Sequence, residues 1–326
     1  MARSKFNNFL TFVLVILSIA VLSTPAQKDK ETKAPKAPFI VKSNLLVVDP
    51  TGQYAVDINQ SEIKVLENGV EQKVTYFSKK NPGLNLAIVV DNTGSMRERL
   101  DLEIKIAKLI VNNLAEKDES MLIRFVSREK ITIEQPWTSN KQMMYEGLDN
   151  LFIEGGLSAI ADALYLTAEI TIKRENEGKS KRSATLLITD AEDRDSYYEL
   201  KEALKLFETT DVQVFVLAFT SDLTDKPTQR NNYKRNGKTN AEKLARTISA
   251  RTSGVAHVFG GPYTEENLLS ALKSLMIELR SQYVIGYTPN DRDKDTVRNL
   301  SVTIADGAKG EKRKAVTRER VFLPVD

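Results

Sequence analysis

Cysteine is absent from this chain of 326 residues, and histidine occurs once. Disulfides, cysteine-ligated zinc or iron-sulfur clusters, thiol nucleophiles and covalently attached haem are thereby excluded. Any metal has to be held by oxygen. An excess of charge is missing too: 47 Lys and Arg stand against 44 Asp and Glu, a formal +3, too even a balance to indicate a nucleic-acid partner. The apolar run from Phe9 to Leu22, broken only by Thr11 and Ser18, falls short of the roughly 20 residues that a membrane-crossing helix requires. What is present is ordinary globular material, with 41% hydrophobic and 28% charged residues. That is enough for a sizeable core in one large domain and a smaller one.

Arg3 and Lys5, the short apolar run and Thr24-Pro25-Ala26 follow one another in the order of a secretory signal. Residues 1–26 are expected to be cleaved after Ala26, with an uncleaved N-terminal anchor as the alternative. The chain is then exported, periplasmic or extracellular, with no membrane insertion after cleavage. A cysteine-free domain with a large core is compatible with that compartment. Without Arg3 and Lys5 the balance is 45 basic against 44 acidic residues, so the surplus belongs largely to the export segment. Residues 27–38 (QKDKETKAPKAP) mix charge and proline without apolar periodicity and read as a linker.

Residues 39–80 contain three β-rich segments separated by Asp49-Pro50-Thr51-Gly52 and Glu67-Asn68-Gly69, the pattern of a small all-β unit. From residue 83 to 280 the pattern changes. The apolar run Leu86–Val90 predicts a central parallel strand, and Leu100, Ile104, Ala107, Val111 and Leu114 recur at helical spacing. Further strands are expected at 121–126, 184–189, 212–219 and 255–259, with an edge strand at 131–133. Helices are expected at 159–170, 197–207, 241–250 and 268–279. Strand and helix in alternation predict an α/β fold, a doubly wound, mostly parallel sheet. Residues 281–326 are strand-like again and are expected to pair with 39–80, which makes the α/β domain an insertion in, or neighbour of, one β module.

The first apolar strand ends in Asp91-Asn92-Thr93-Gly94-Ser95, a carboxylate followed by two hydroxyls at spacing two. A later strand ends in Thr189-Asp190, and Ser158 follows the glycines Gly155 and Gly156 at the entry to a helix. In a doubly wound sheet the carboxyl ends of the strands are where ligands bind. Two carboxylates and three hydroxyls from three loops make an all-oxygen shell of the kind a hard cation takes. Each member also has a purely structural explanation: Asp91, Ser95 or Ser158 as helix caps, Asp162 as a helix-start residue, and Glu192, Asp193 and Asp195 as a solvated acidic loop.

These residues resemble the metal-ion-dependent adhesion site of the von Willebrand factor type A domain. In that family the pattern is Asp-x-Ser-x-Ser, then a Thr, then an Asp. Asp91, Thr93 and Ser95 match the first element with Thr for the first Ser, Ser158 stands for the Thr, and Asp190 matches the third. Each exchange keeps a hydroxyl oxygen. The glycine that usually follows the third-loop Asp is Ala191 here. The flanks Glu62–Val74 and Gln282–Pro289 are similar to an exported bacterial subfamily frequent in acidobacteria. The resemblance implies that Asp91, Thr93, Ser95, Ser158 and Asp190 hold Mg2+, or Mn2+ or Ca2+. It also implies a protein partner that supplies an acidic residue to the metal, and a binding protein rather than an enzyme. A metal-assisted hydrolase and a structural envelope subunit with a vestigial metal site are the alternatives.

Three other motifs carry less. Gly237-Lys238-Thr239 lacks the earlier glycine and the preceding strand of a phosphate loop. Asp291-Arg292-Asp293-Lys294-Asp295 lacks the glycine and the bidentate Glu of a calcium loop. His257 lies in an apolar run, with no nucleophile elbow anywhere in the chain. The polar stretch 221–240 leaves a strand at its carboxyl end and carries five bases against two acids. It reads either as a selector of an acidic partner or as a solvated loop.

Overall fold

The structure, a computed structural model, describes residues 40–321 except 52, 56, 80–82, 177–180, 209, 211, 226–236, 281–282, 290–297, 308–309 and 318–319. The expected signal segment 1–26 and linker 27–38, most of the polar stretch 221–240 and the expected charged turn at 291–295 lie outside the described residues.

In chain order the strands are β1 (Val41–Val48), β2 (Ile63–Glu67), β3 (Val70–Gln72), β4 (Val74–Ser78) and β5 (Leu84–Asp91). Next come α1 (Leu100–Asn112), β6 (Glu119–Ser127), β7 (Lys130–Thr138), α2 (Lys141–Asp149), α3 (Ile160–Asn176), β8 (Arg182–Thr189) and α4 (Leu200–Glu208). After them follow β9 (Gln213–Phe219), α5 (Lys238–Arg251), β10 (Ala256–Phe259), α6 (Glu265–Arg280), β11 (Tyr283–Tyr287), β12 (Arg298–Ile304), β13 (Lys314–Val316) and β14 (Arg320–Val321). The six-stranded sheet runs β10-β9-β8-β5-β6-β7 and is parallel except for β7, which lies antiparallel on β6. This is the α/β, doubly wound, mostly parallel architecture that the alternation of elements predicts.

β5 is buried along its whole length because helices cover both faces of the sheet. Leu84, Leu86, Ile88 and Val90 pack on one face with residues of α1 and α6, while Ala87 and Val89 pack on the other with α3, α4 and α5. The two-residue side-chain period of a strand sorts them. From β5 the chain goes to β6 on one side and later to β8 on the other. The carboxyl end of β5 therefore lies where the strand order reverses, the place at which such sheets leave a crevice.

Three elements differ from the sequence expectation. β7 spans nine residues rather than 131–133, and it keeps Pro136 because an edge strand tolerates a missing N–H. α2 was not foreseen, since its only buried residues are Met144 and Leu148, too few to show a helical period. Its start is set by the Asn140 side chain, which accepts from the Gln142 amide at 2.9 Å, an N-cap bond. α4 starts at Leu200 rather than 197, because the Tyr197 and Tyr198 amides both donate to Asp162, each at 2.8 Å.

The remaining strands form two four-stranded sheets, β13-β1-β11-β4 and β14-β12-β2-β3. β1 and β11 pair antiparallel from Val41 opposite Tyr287 to Leu45 opposite Tyr283, and β2 pairs β12 from Glu67 opposite Leu300 to Ile63 opposite Ile304. Leu45, Val47, Ile58, Val65, Tyr283, Ile285 and Tyr287 form their common core. The β2–β3 hairpin turns on Asn68 and Gly69 with φ of 49° and 81°, the left-handed pair that an Asn-Gly turn supplies.

Candidate functional site

β5 and β8 are parallel neighbours in a register that sets Val90 against Ile188, which brings Thr189 beside Asp91. Asp91 is fully buried, and four donors converge on its carboxylate. The Thr93 amide and hydroxyl donate to Oδ1 at 3.1 and 2.7 Å. The hydroxyls of Ser158 and Thr189 donate to Oδ2 at 3.1 and 2.7 Å. Ser95 Oγ lies 3.0 Å from Thr93 Oγ1 and is only half-buried, next to exposed Gly94. The site therefore opens to solvent at Ser95. Asp91 caps no helix, and the first amides of α3 are taken by Asp193 (Ile160 N, 3.0 Å) and by Ser196 Oγ (Ala161 N, 3.0 Å) rather than by Ser158.

Asp190 is buried at 2% exposure. Its Oδ1 accepts from the Glu192 amide at 3.0 Å, whereas its Oδ2 is buried with no hydrogen-bond partner. The turn after it is tight. Ala191 sits at φ 62°, the left-handed region where a glycine costs nothing and an alanine roughly 1 kcal/mol or more. Ala191→Gly is expected to stabilise the protein by about 1 kcal/mol, read as a higher denaturation midpoint; an unchanged midpoint would show that the turn is unstrained.

The stretch 192–195 is not the solvated acidic loop that its composition suggests. Glu192 is fully buried and paired with Arg194 at 3.3 Å, Asp193 holds the start of α3 and Ser196, and Asp195 pairs with Arg128 at 2.7 Å. Side-chain bonding and burial decide this, and a run of acids shows neither. Asp162 ties down the Tyr197 and Tyr198 amides, so its role lies in that loop. At Gly237-Lys238-Thr239 the start of α5 is already filled by a carboxylate: Asp225 accepts from the Thr239 amide at 2.9 Å and its hydroxyl at 2.7 Å. His257 faces Glu278 at 3.3 Å.

Burial, and after it the charge of Asp190, pushes the Asp91 carboxyl up to about 7, against the pull of the Thr93 and Thr189 hydrogen bonds. Glu103 of α1 is pushed well above the usual carboxylate range by burial and then by the charges of Asp91 and Asp190, with Arg99 opposing. Glu103 and Thr189 belong to this electrostatic unit, and sequence reasoning missed both. Thr189 carries a weak signal, since it immediately precedes Asp190. Glu103 carries one in retrospect, as it lies four residues before Ala107 on the apolar stripe of the helix.

A divalent cation fits this donor set. Hydroxyl and carboxylate oxygens are hard ligands, and Asp190 Oδ2 is buried without a hydrogen-bond partner, a polar atom without compensation. Among the described residues no three Asp, Glu or His side chains form a metal-holding group by themselves, so hydroxyls and water must complete any shell. Residues 86–192 match the von Willebrand factor type A domain family. This chain contains a von Willebrand factor type A domain. The match spans β5 through the loop after β8, and Asp91, Thr93, Ser95, Ser158 and Asp190 all lie within it.

The chain is 30% identical over 151 residues to an uncharacterized Synechocystis protein, sll0103, covering 46% of this chain and 34% of that one. It thus spans about a third of the length of that curated relative. Among solved structures it is similar to an aerotolerance-related membrane protein from Bacteroides fragilis (20% identity, TM-score 0.45, 60% of this chain and 98% of that one). BatB from Bacteroides thetaiotaomicron is similar at 19% identity and TM-score 0.45, over 60% of this chain and 98% of that one. A von Willebrand factor type A protein from Catenulispora acidiphila is similar at 10% identity and TM-score 0.47, over 88% and 74% respectively. Among the described residues no helix is long and apolar enough to cross a membrane.

Proposed function

We propose that this protein is an exported binding module in which Asp91, Thr93, Ser95, Ser158 and Asp190 hold a divalent cation, Mg2+ by preference, that recognises a carboxylate on a protein partner. The reading rests above all on Asp190 Oδ2, a buried carboxylate oxygen without a hydrogen-bond partner, set against a second buried carboxylate, Asp91, whose own oxygens are already taken. Such a pair is costly alone and favourable beside a dication. When bound, the cation supplies an electrophilic position for an incoming carboxylate. The chain's own residues do the rest. Asp91 orients the Thr93 and Ser158 hydroxyls by accepting their hydrogen bonds, which points their lone pairs away from it. Half-buried Ser95 marks the side from which a partner enters.

A metal-assisted hydrolase would also need a general base near the cation. Asp193, the acid that the sequence offers for that role, has its Oδ1 engaged by the Ile160 amide and Ser196 hydroxyl, which disfavours it as such a base. The test is affinity capture from envelope extracts by the mature protein, in Mg2+ and in chelator, alongside Asp91→Ala. A retained acidic-motif protein that is lost with chelator and in the variant is the expected result. Capture unchanged by both would defeat the cation-dependent reading, and chelator-sensitive hydrolysis of ester or phosphate substrates would replace it with the enzymatic one.

A further inference from the structure

Glu103 is out of place for a helix residue on the core side. α1 buries Glu103, Ile106, Ala107, Ile110 and Val111, one stripe at the helical period, and the four apolar members belong to the cluster against the sheet. Glu103 itself is 0% exposed, and neither carboxylate oxygen has a hydrogen-bond partner. A buried carboxylate with no partner is one of the costliest groups a fold can carry.

Its surroundings are acidic. Along β8, Leu186 and Ile188 pack on the face that α1 covers, and Thr189 turns to the other, where it meets Asp91. Asp190 follows directly on the end of the strand, and Ala191 packs on the face of α3 and α4. Asp190 Oδ2 and both oxygens of Glu103 are buried without a hydrogen-bond partner. The charges of Asp190 and Asp91 both bear on Glu103. The charge of Arg99, one turn earlier, opposes theirs, while its Nη2 donates to Ser221 Oγ at 2.9 Å and to Asp222 rather than to Glu103.

We infer that Glu103 is an outer acidic group of the cation site, raising its affinity for divalent ions through charge and through water rather than by direct ligation. The inference rests on the cation reading above. Direct ligation is set aside because Glu103 does not group with Asp91 and Asp190 as a three-residue ligand set. A third buried acid favours a doubly charged ion over a singly charged one, since attraction scales with the ion's charge.

The experiment is calorimetric titration of the mature protein with Mg2+, Mn2+ and Ca2+, together with thermal unfolding of the metal-free forms, for wild type, Glu103→Gln, Glu103→Asp and Asp91→Ala. Glu103→Gln is expected to weaken all three ions by at least about tenfold and by similar factors, because charge rather than ligand geometry is lost. Its metal-free melting temperature is expected to be no lower than that of wild type. Glu103→Asp keeps the charge and is expected to retain affinity within about threefold. Affinity of Glu103→Gln within about twofold of wild type, with Asp91→Ala still defective, overturns the role of Glu103 and leaves the cation site standing. Selective loss of one ion overturns it in favour of direct ligation. A lowered metal-free melting temperature with unchanged affinity overturns it in favour of a packing role. Failure of wild type to bind any of the ions removes the cation reading and this inference together.

Discussion

Raising the pH from about 4 to about 7 is expected to destabilise the metal-free protein through Asp91, by on the order of 3 to 4 kcal/mol. In the unfolded chain this carboxyl titrates near its ordinary 3.8, whereas in the folded protein burial and the charge of Asp190 raise it to about 7. Between those values the folded state holds a proton that the unfolded state has released, so stability falls as the pH rises. Below about 4 both states are protonated and the effect vanishes; above about 7 the whole penalty is present. Other carboxylates pull the opposite way. Glu119 is held below its ordinary value by Lys181 and Arg174 despite partial burial, so it stabilises above the unfolded pKa and loses that contribution on acidification.

The Asp91 effect must therefore be read as a difference, from denaturant unfolding of wild type and Asp91→Asn at several pH values in chelator. The gap between the two curves is expected to change steadily across the window, Asp91→Asn becoming relatively more stable toward pH 7. A divalent cation is expected to cancel the slope for wild type, since it takes over the compensation that a proton provides. A gap that stays constant from pH 4 to 8 would show that Asp91 titrates normally.

Arg298→Ala is expected to cost about 3 to 5 kcal/mol, the range for breaking a buried ion pair by removing one partner. Arg298 and Glu67 are 2% and 5% exposed, and the guanidinium lies against Glu67 Oε1. Tyr287 donates to Glu67 Oε2 at 2.5 Å, and burial followed by the Glu67 charge pushes its phenol above the ordinary range. The three residues come from β12, β2 and β11, so the trio joins the two sheets of the β module. Removing Arg298 leaves a desolvated carboxylate there with only a tyrosine hydroxyl. Replacing both charges, Arg298→Met with Glu67→Leu, is expected to recover most of the loss. Urea unfolding measures both, and equal stability of Arg298→Ala and wild type would show the pair to be dispensable. Cation affinity at Asp91 is expected to be unchanged in the folded variant, because the trio belongs to different sheets from the site.

Much of this architecture is written in local pattern. The apolar run Leu86–Val90 marks a strand covered on both faces, and the helical spacing of Ile104, Ala107 and Val111 marks α1, because burial on a regular element repeats with that element's period. α2 escaped because two buried residues make no period, and β7 was read too short because its inner face is only partly buried. In the site, Asp91, Thr93 and Ser95 could be picked out because they are close in sequence at a strand exit. Thr189 could not be assigned a partner that way. Its hydroxyl reaches Asp91 only because β5 and β8 adopt one particular register.

The absence of cysteine and the single histidine determined from the outset that any metal chemistry here belongs to oxygen, and the strand ends determined which oxygens to consider. Three things were decided only in the folded chain. The acids after Asp190 became structural anchors, Glu103 was buried on the inner stripe of α1, and the pairing expected between 39–80 and 281–326 took its register. The reason is the same in each case. Local pattern records which residues prefer burial and which element they join. Whether a given carboxylate ends beside an arginine, a hydroxyl or another carboxylate depends on strand register and helix placement between segments far apart in sequence.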